Sequence, residues 1–152
     1  MSTRSVPTYE DAQLVLKLYE LRREEKLRAA RDWFTAKFFP SSAADIETLY
    51  GTPGIENTYF RMVTSYWDMT ASFVVRGVLN GDLLLDSAGE MLLVWAKIEN
   101  YLREIRGRIV SQVFLSNLER LVESSAYAQE RLVVARQTVA RLRERMLAPA
   151  KA

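Results

Sequence analysis

The stretch FLSNLERLVESSAYAQERLVVARQTVARLRERM, residues 114–146, decides the fold, because its apolar and small residues recur at alternating steps of four and three. This spacing keeps one side chain from each turn on a single helix face and is typical of a coiled-coil seam. It predicts one helix over residues 109–147, about 58 Å long. The residues assigned to the seam are Leu118, Leu121, Ser125, Ala128, Leu132, Ala135, Val139 and Leu142.

A second long helix, about 48 Å in length, is predicted over residues 8–39. Thr8 and Asp11 form a capping-box pattern at its start, and Pro40 prevents its continuation. Apolar residues recur along it at steps of three and four, so we expect them to face inward. The inward stripe is Ala12, Leu16, Tyr19, Leu27, Ala30, Phe34 and Phe38, interrupted by Arg23.

Three shorter helices are predicted between the two long ones, over residues 43–50, 55–79 and 87–106. The middle one carries apolar residues on two sides and is therefore expected at the centre. The last begins with a second capping-box pattern, Ser87 with Glu90. A chain of 152 residues is the usual size of one domain. We therefore predict a single all-α domain over residues 1–152, an elongated bundle of about five helices with long antiparallel N- and C-terminal helices. The ends, at 1–7 and 148–152, are predicted to be flexible.

The two long helices exceed the diameter of roughly 40 Å expected for a domain of this size. Three arrangements would resolve the mismatch. The terminal helices could lie antiparallel in an elongated bundle, a break near Ser124 and Ser125 could shorten the last helix, or a second chain could cover the seam. The third arrangement makes the seam an interface between copies of the protein. The sequence pattern leaves all three open.

Composition excludes much familiar chemistry. The chain contains no cysteine and no histidine, which removes thiol nucleophiles, zinc sites built from thiolates or imidazoles, and the usual general base near neutral pH. The phosphate-binding loop, the dinucleotide-binding loop and the serine-hydrolase elbow are also absent from the sequence. We therefore predict a non-catalytic protein without a cofactor or a metal site.

The longest unbroken apolar run is MLLVWA, residues 91–96, far short of the roughly 20 residues that cross a bilayer. The N-terminal residues lack the apolar stretch of a secretory signal, and no cysteine is present for oxidation. These features predict a cytoplasmic protein with no membrane insertion.

The stretch FVVRGVLNGDLLLDSAGEM, residues 73–91, concentrates glycines and charged side chains between two predicted helices. Its polar residues have an available role in ending or capping a helix, so we interpret it as a corner of the fold. The alternative is an active site in which three carboxylates act as acid, base or metal ligands beside a guanidinium that holds an anion. Its residues would be Arg76, Asp82, Asp86 and Glu90.

Charge is distributed unevenly: the net charge is +2 over residues 1–39, −5 over 40–100 and +5 over 101–152, which sums to +2. An acidic middle between basic ends favours packing of the ends over the middle, within one chain or between two. The Arg-rich end also suggests binding to nucleic acid or to an anionic surface. Glu130 and Glu144 interrupt that basic face and no nucleic-acid-binding motif accompanies it, so nucleic acid is a disfavoured partner.

Residues 59–106 resemble an uncharacterised bacterial family of helical domains of unknown function. In that family an aromatic-rich helix is followed by a glycine-containing turn and by a helix with a central tryptophan and a closing arginine. The matching residues are Phe60, Arg76, Gly77, Leu79, Asp82, Leu83, Trp95 and Arg106. The resemblance implies an all-helical fold and carries no catalytic residues over to this chain.

Self-association, or binding to another protein, through the terminal helices is the function that these patterns favour, with the seam residues as the interface. A second hypothesis is a small apolar ligand held between the helices over 55–79 and 87–106. Its site would be formed by aromatic and methionine side chains that otherwise belong to the core. These side chains are Tyr66, Met69, Phe73, Trp95 and Tyr101.

Overall fold

A computed structural model describes residues 6–150 as helices joined by turns and short connections. No residue in this range belongs to a β-strand, which confirms the all-α class. The prediction of flexible ends falls mainly on residues 1–5 and 151–152, which lie outside the described range. The helices are α1 (Tyr9–Arg22), α2 (Glu25–Ala36), α3 (Ala43–Gly51), α4 (Ile55–Val75), α5 (Gly81–Ser87), α6 (Gly89–Ile98), α7 (Leu102–Ile105), α8 (Ser116–Ser124) and α9 (Ala126–Leu147).

The predicted helix over residues 8–39 is divided into α1 and α2. α1 begins as expected, since the Thr8 side chain accepts a hydrogen bond from the backbone N–H of Asp11 at 3.2 Å. It ends at Arg22, and α2 begins where the Glu24 carboxylate accepts a hydrogen bond from the N–H of Leu27 at 2.9 Å. A negative charge is favourable at a helix N-terminus, so Glu24 stabilises a new helix start. The prediction of a single helix over residues 8–39 is therefore wrong.

The break changes which residues of α1 face inward. Leu18 and Arg22 are buried, whereas Leu16 and Tyr19 of the predicted stripe are exposed. In α2 the stripe is correct, and Phe34 is buried. A turn rotates one helix relative to the next, so a stripe counted across the turn no longer lies on one face.

The helix predicted over residues 109–147 is also divided, because residues 109–115 lie in turns and Ser125 separates α8 from α9. The Ser125 side chain accepts a hydrogen bond from the N–H of Ala128 at 3.0 Å and caps α9. This break is the second of the three arrangements considered above. α9 packs mainly along α6. The long antiparallel pairing of the first and last helices is therefore not formed.

α4 is the central helix, as predicted, and packs against α2, α3, α6 and α8. Its Phe60 is fully buried in an aromatic cluster. The Phe60 ring centroid lies 5.5 Å from that of Phe38 and 6.0 Å from that of Phe114. The rings of Tyr50 and Phe34 lie 6.3 and 6.4 Å away. The aromatic cluster therefore joins α2 and the residues just after it, α3, α4 and the segment before α8.

Asp68 connects α4 to α8. Its carboxylate accepts hydrogen bonds from the backbone N–H groups of Asn117 and Leu118, each at 3.0 Å, and from the side-chain amide of Asn117 at 3.0 Å. These N–H groups belong to the first turn of α8, and the residue before α8, Leu115, provides no side-chain cap. Asp68 therefore caps one helix from another.

Candidate functional site

The corner between α4 and α5 is formed by a glycine-dependent helix end. Gly77 follows the end of α4 with a φ of +75°, a left-handed conformation that glycine adopts without strain. The N–H of Val78 donates to the carbonyl of Phe73 at 2.8 Å, and the N–H of Gly77 donates to that of Val74 at 3.0 Å. This pair of bonds is a Schellman motif, which satisfies carbonyls at the end of a helix. The helix predicted to run to residue 79 therefore ends at Val75.

The predicted capping box of Ser87 with Glu90 is wrong. Ser87 is the last residue of α5, and α6 starts at Gly89 after Ala88, whose side chain cannot accept a hydrogen bond. The N-terminus of α6 therefore carries no side-chain cap. The helix predicted over 87–106 is also divided, because a 3-10 turn over Glu99–Tyr101 separates α6 from α7.

The four residues considered for an active site lie in different surroundings. Arg76 is exposed at the end of α4, and Asp82 lines an open cavity of about 720 Å³ beside α4, α5 and the α8–α9 junction. Asp86 accepts a hydrogen bond from the hydroxyl of Tyr127 on α9 at 2.6 Å. Glu90 faces α2 instead. Within residues 6–150, no group of three or more acidic side chains is arranged to hold a metal ion.

The five residues of the hypothetical apolar-ligand site are divided between the core and the surface. Tyr66 and Trp95 are buried, Phe73 is partly buried, and Met69 is exposed. Tyr101 lines a cavity of about 520 Å³ between α6 and α9, which the other four residues do not line. The structure therefore does not bring these five side chains to one cavity.

Most of the predicted seam is buried within the chain itself. The side chains at its start pack into the core, while Ser125, Val139 and Leu142 are partly exposed. In the later part of α9, the seam residues that a second chain could still contact are Val139 and Leu142. The buried seam residues are Leu118, Leu121, Ala128, Leu132 and Ala135.

Several arginines of α9 have partners within the chain. The Arg136 guanidinium donates to the carboxylate of Glu99 at 2.6 and 3.0 Å, and these bonds raise the pKa of Arg136 above its ordinary value. Arg131 donates to the hydroxyl of Tyr127 at 3.0 Å. Arg143 donates to a backbone carbonyl in the connection between α2 and α3. Part of the basic face suggested for nucleic acid is thus used to hold α9 in place.

α1 carries apolar side chains on its outer face. Tyr9, Leu16 and Tyr19 are 75%, 67% and 51% exposed. Steps of seven and three residues place them on one side of the helix. Leu18, by contrast, points inward and is 1% exposed. We call the surface formed by Tyr9, Leu16 and Tyr19 the outer face of α1.

Polar contacts attach α1 to the rest of the chain. The Asp11 carboxylate accepts hydrogen bonds from the backbone N–H groups of Thr8 at 2.8 Å and Asn80 at 2.9 Å, and these bonds lower the pKa of Asp11. At the other end of the helix, the Tyr66 hydroxyl donates to the carbonyl of Leu18 at 2.7 Å. Burial raises the pKa of Tyr66, which keeps this hydroxyl a donor. α1 is therefore fixed in orientation, with its outer face directed away from the core.

Two arginines meet between α1, α2 and α6. Arg31 donates three hydrogen bonds to the Glu90 carboxylate, at 2.8, 2.9 and 3.1 Å, and this pairing raises the pKa of Arg31. Arg22 is 4% exposed, with its guanidinium carbon 5.1 and 5.2 Å from the ring centroids of Tyr19 and Trp67. The nitrogen Nη2 of Arg22 donates a long bond of 3.4 Å to a backbone carbonyl, whereas Nη1 is buried without a hydrogen-bond partner.

These residues surround a cavity of about 210 Å³, which we call the arginine pocket. It is lined by residues of α1, α2, α4, α5 and α6 and of the α1–α2 and α5–α6 connections. The lining residues are Tyr19, Arg22, Arg23, Arg31, Trp67, Ser87, Ala88 and Glu90.

Lys97 is a second buried cation. Its ammonium group donates to the carbonyls of Phe34, Thr35 and Phe38 at 2.6, 3.0 and 2.9 Å, and it lies 3.7 Å from the ring centroid of Phe39. The carbonyls of Phe34 and Thr35 lie in the last turn of α2, and the carbonyl of Phe38 lies just after it. Lys97 therefore caps the C-terminus of that helix. Burial lowers the pKa of Lys97 to about 7, and the nearby positive charge on α9 adds to this effect.

The sequence patterns did not indicate that Arg22 and Lys97 are buried or that Arg31 is partly buried. For Lys97 a signal exists, because it is the one basic residue in the apolar stretch MLLVWAKI, residues 91–98. The sequence carries no such signal for Arg22 and Arg31, because the neighbouring Arg23 and Arg28 are exposed. The break after α1 determines which of these arginines face inward.

Within residues 6–150, no helix is both long and apolar enough to cross a membrane. Searches of curated proteins and of solved structures each find no match to the chain. A family model does match: it covers residues 7–125, which includes the stretch over 59–106 on which the resemblance to a helical family of unknown function was based. Because this match extends over more than half of the sequence, the chain belongs to the family described as Domain of unknown function (DUF4760).

Proposed function

We propose that the protein acts by binding another protein chain, in the first instance a second copy of itself, through the outer face of α1. The observation that carries the proposal is the exposure of Tyr9, Leu16 and Tyr19, three large side chains on one side of a helix. A surface helix usually directs its apolar residues to the core, so an outward apolar side is typical of an interaction site.

The residue types also suit an interface. Tyrosine is enriched in the buried centres of protein interfaces, since its ring supplies contact area and its hydroxyl tolerates water in the free protein. An amphipathic helix that places apolar residues one and two turns apart in the groove of a partner is a common mode of recognition. Because α1 is already attached by polar contacts on its other side, the helix can present these residues without first ordering itself.

The later part of α9 provides a second apolar surface within this proposal. Val139 and Leu142 are partly exposed, and Met146 and Leu147 are 43% and 70% exposed. These residues continue the seam beyond the part that the chain itself covers. A partner that contacts both terminal helices would bury both surfaces.

We expect the wild-type protein to form a dimer whose population rises with concentration over about 1 to 100 µM, the range in which a micromolar interface is half occupied. Leu16→Glu should raise the dissociation constant at least about tenfold, because a charge placed in a buried apolar contact must be desolvated. Light scattering after gel filtration measures both results.

The matched control is Val113→Glu. Val113 lies in the turns before α8 and is 68% exposed, almost the same as the 67% of Leu16. The control introduces the same charge at an equally exposed apolar position, so it should leave the dimer unchanged. A wild-type protein that stays monomeric throughout the range would refute self-association, and equal weakening by both variants would refute the assignment to α1.

A further inference from the structure

The arginine pocket has an excess of positive charge that its own residues do not neutralise. Arg22, Arg23 and Arg31 line it, and Glu90 is the acidic residue among the lining residues. Glu90 is engaged by Arg31 through a bidentate pair. Three positive charges and one negative charge leave a net charge of +2 in the pocket.

Arg22 points to a missing ligand. A guanidinium has five N–H donors, and a buried donor without an acceptor costs free energy. Arg22 is 4% exposed and its Nη1 has no hydrogen-bond partner. The two aromatic rings beside it hold the guanidinium through cation–π contacts. The Tyr66 hydroxyl also interacts with the Arg22 side chain, but Nη1 itself makes no hydrogen bond.

The N-terminus of α6 lies on the same pocket. Ala88, the residue before the helix, and Glu90 in its first turn both line the cavity, and no side chain caps this helix end. The N–H groups at the start of a helix attract an anion because they are unpaired and carry the positive end of the helix dipole. An oxyanion in the pocket would therefore meet donors from a buried arginine and from a helix end.

We propose that the arginine pocket binds a phosphate group. A phosphate group carries about 1.5 to 2 negative charges at pH 7 and has three terminal oxygens, which suits a net charge of +2 and donors from more than one direction. A carboxylate carries one negative charge and would leave the pocket positively charged. The cavity of about 210 Å³ accommodates a phosphate group with part of a small attached molecule. The arginine pocket adjoins the outer face of α1, with which it shares Tyr19.

Isothermal titration calorimetry with inorganic phosphate, at constant ionic strength set by chloride, tests the proposal. We expect saturable binding of one phosphate per chain with a dissociation constant at or below about 1 mM. Arg22→Lys keeps the charge and removes the planar fork, and Arg23→Gln removes a charge at the exposed rim of the pocket. Each should weaken binding at least about tenfold, the effect of one lost charge-assisted hydrogen bond.

The control is Arg103→Gln, which removes the same charge from an exposed arginine on α7 and should not change the affinity. If Arg22→Lys does not fold, the comparison of Arg23→Gln with Arg103→Gln decides. Acetate serves as the singly charged competitor, and glycerol phosphate tests whether an attached group strengthens binding. No saturation up to about 10 mM phosphate, tenfold above a millimolar dissociation constant, would overturn the proposal. So would equal losses in Arg23→Gln and Arg103→Gln, or acetate binding as tightly as phosphate.

Discussion

Replacing Phe60 by alanine is expected to lower the free energy of unfolding by about 4 kcal/mol, a large part of the 5 to 15 kcal/mol typical of a folded domain. Phe60 has 0% exposure and its ring contacts those of Phe34, Phe38, Tyr50 and Phe114. Alanine would remove all of these ring contacts and leave a cavity that the surrounding rigid rings cannot fill.

Urea unfolding followed by circular dichroism measures the change, provided that the dependence on urea concentration stays the same in both proteins. Phe60→Leu is the matched variant, because leucine retains most of the buried volume and should cost less than half as much as alanine. A loss below about 2 kcal/mol for Phe60→Ala would mean that the aromatic cluster collapses around the cavity, contrary to the expectation.

Replacing Lys97 by methionine is expected to lower the free energy of unfolding by about 3 kcal/mol. The carbonyls of Phe34, Thr35 and Phe38 accept hydrogen bonds from the Lys97 ammonium group. Methionine has a similar length but no donor, so these carbonyls would lose that partner at a buried helix end, at a cost of roughly 1 to 3 kcal/mol for each unsatisfied group. The gain from removing a buried charge offsets part of this cost.

Thermal and urea unfolding measure the effect, with Lys37→Met as the control. Lys37 is exposed at the end of α2, so its replacement removes the same charge without affecting a buried contact. Equal or greater stability of Lys97→Met relative to the wild type would show that desolvation of the ammonium outweighs its hydrogen bonds, which contradicts the expectation.

Lys97 should also make stability depend on pH. Its pKa in the folded chain is about 7, below the ordinary value of 10.5. Between these values the unfolded chain binds the proton more strongly, so the free energy of unfolding should rise with pH, by at most about 1.4 kcal/mol per pH unit. The measurement is the difference in unfolding free energy between wild type and Lys97→Met at pH 6, 7, 8 and 9. A difference that does not increase above pH 7 would contradict the shifted titration of this side chain.

The helical class and the central position of α4 were predictable because they follow from periodic apolar residues that tertiary packing reinforces. The cap at Thr8 was predictable because the N-cap hydrogen bond is made within one turn of the chain. The end of α4 was predicted at residue 79 and lies at Val75, although Gly77 carries a local signal, since a left-handed helix end selects glycine.

The breaks in the two long helices were harder to predict. Apolar residues continue at helical spacing on both sides of Arg23 and of Ser125, so periodicity alone does not show that the two segments belong to different helices. Asp68 caps α8 across a long sequence separation, so no pattern local to α4 could indicate its role. The arginine pocket also cannot be predicted from a local pattern, because Arg22 and Glu90 become neighbours only after tertiary contacts orient α1 and α6.

Ser125 separates α9 from the part of the fold that contains the aromatic cluster. α9 rests mainly on α6, while the aromatic cluster takes no ring from it. If α9 detached from α6, the aromatic cluster would keep all of its rings, and the side of α6 that includes Leu92 and Leu93 would be exposed to solvent. The last helix therefore covers an apolar surface of α6 that the rest of the chain leaves open.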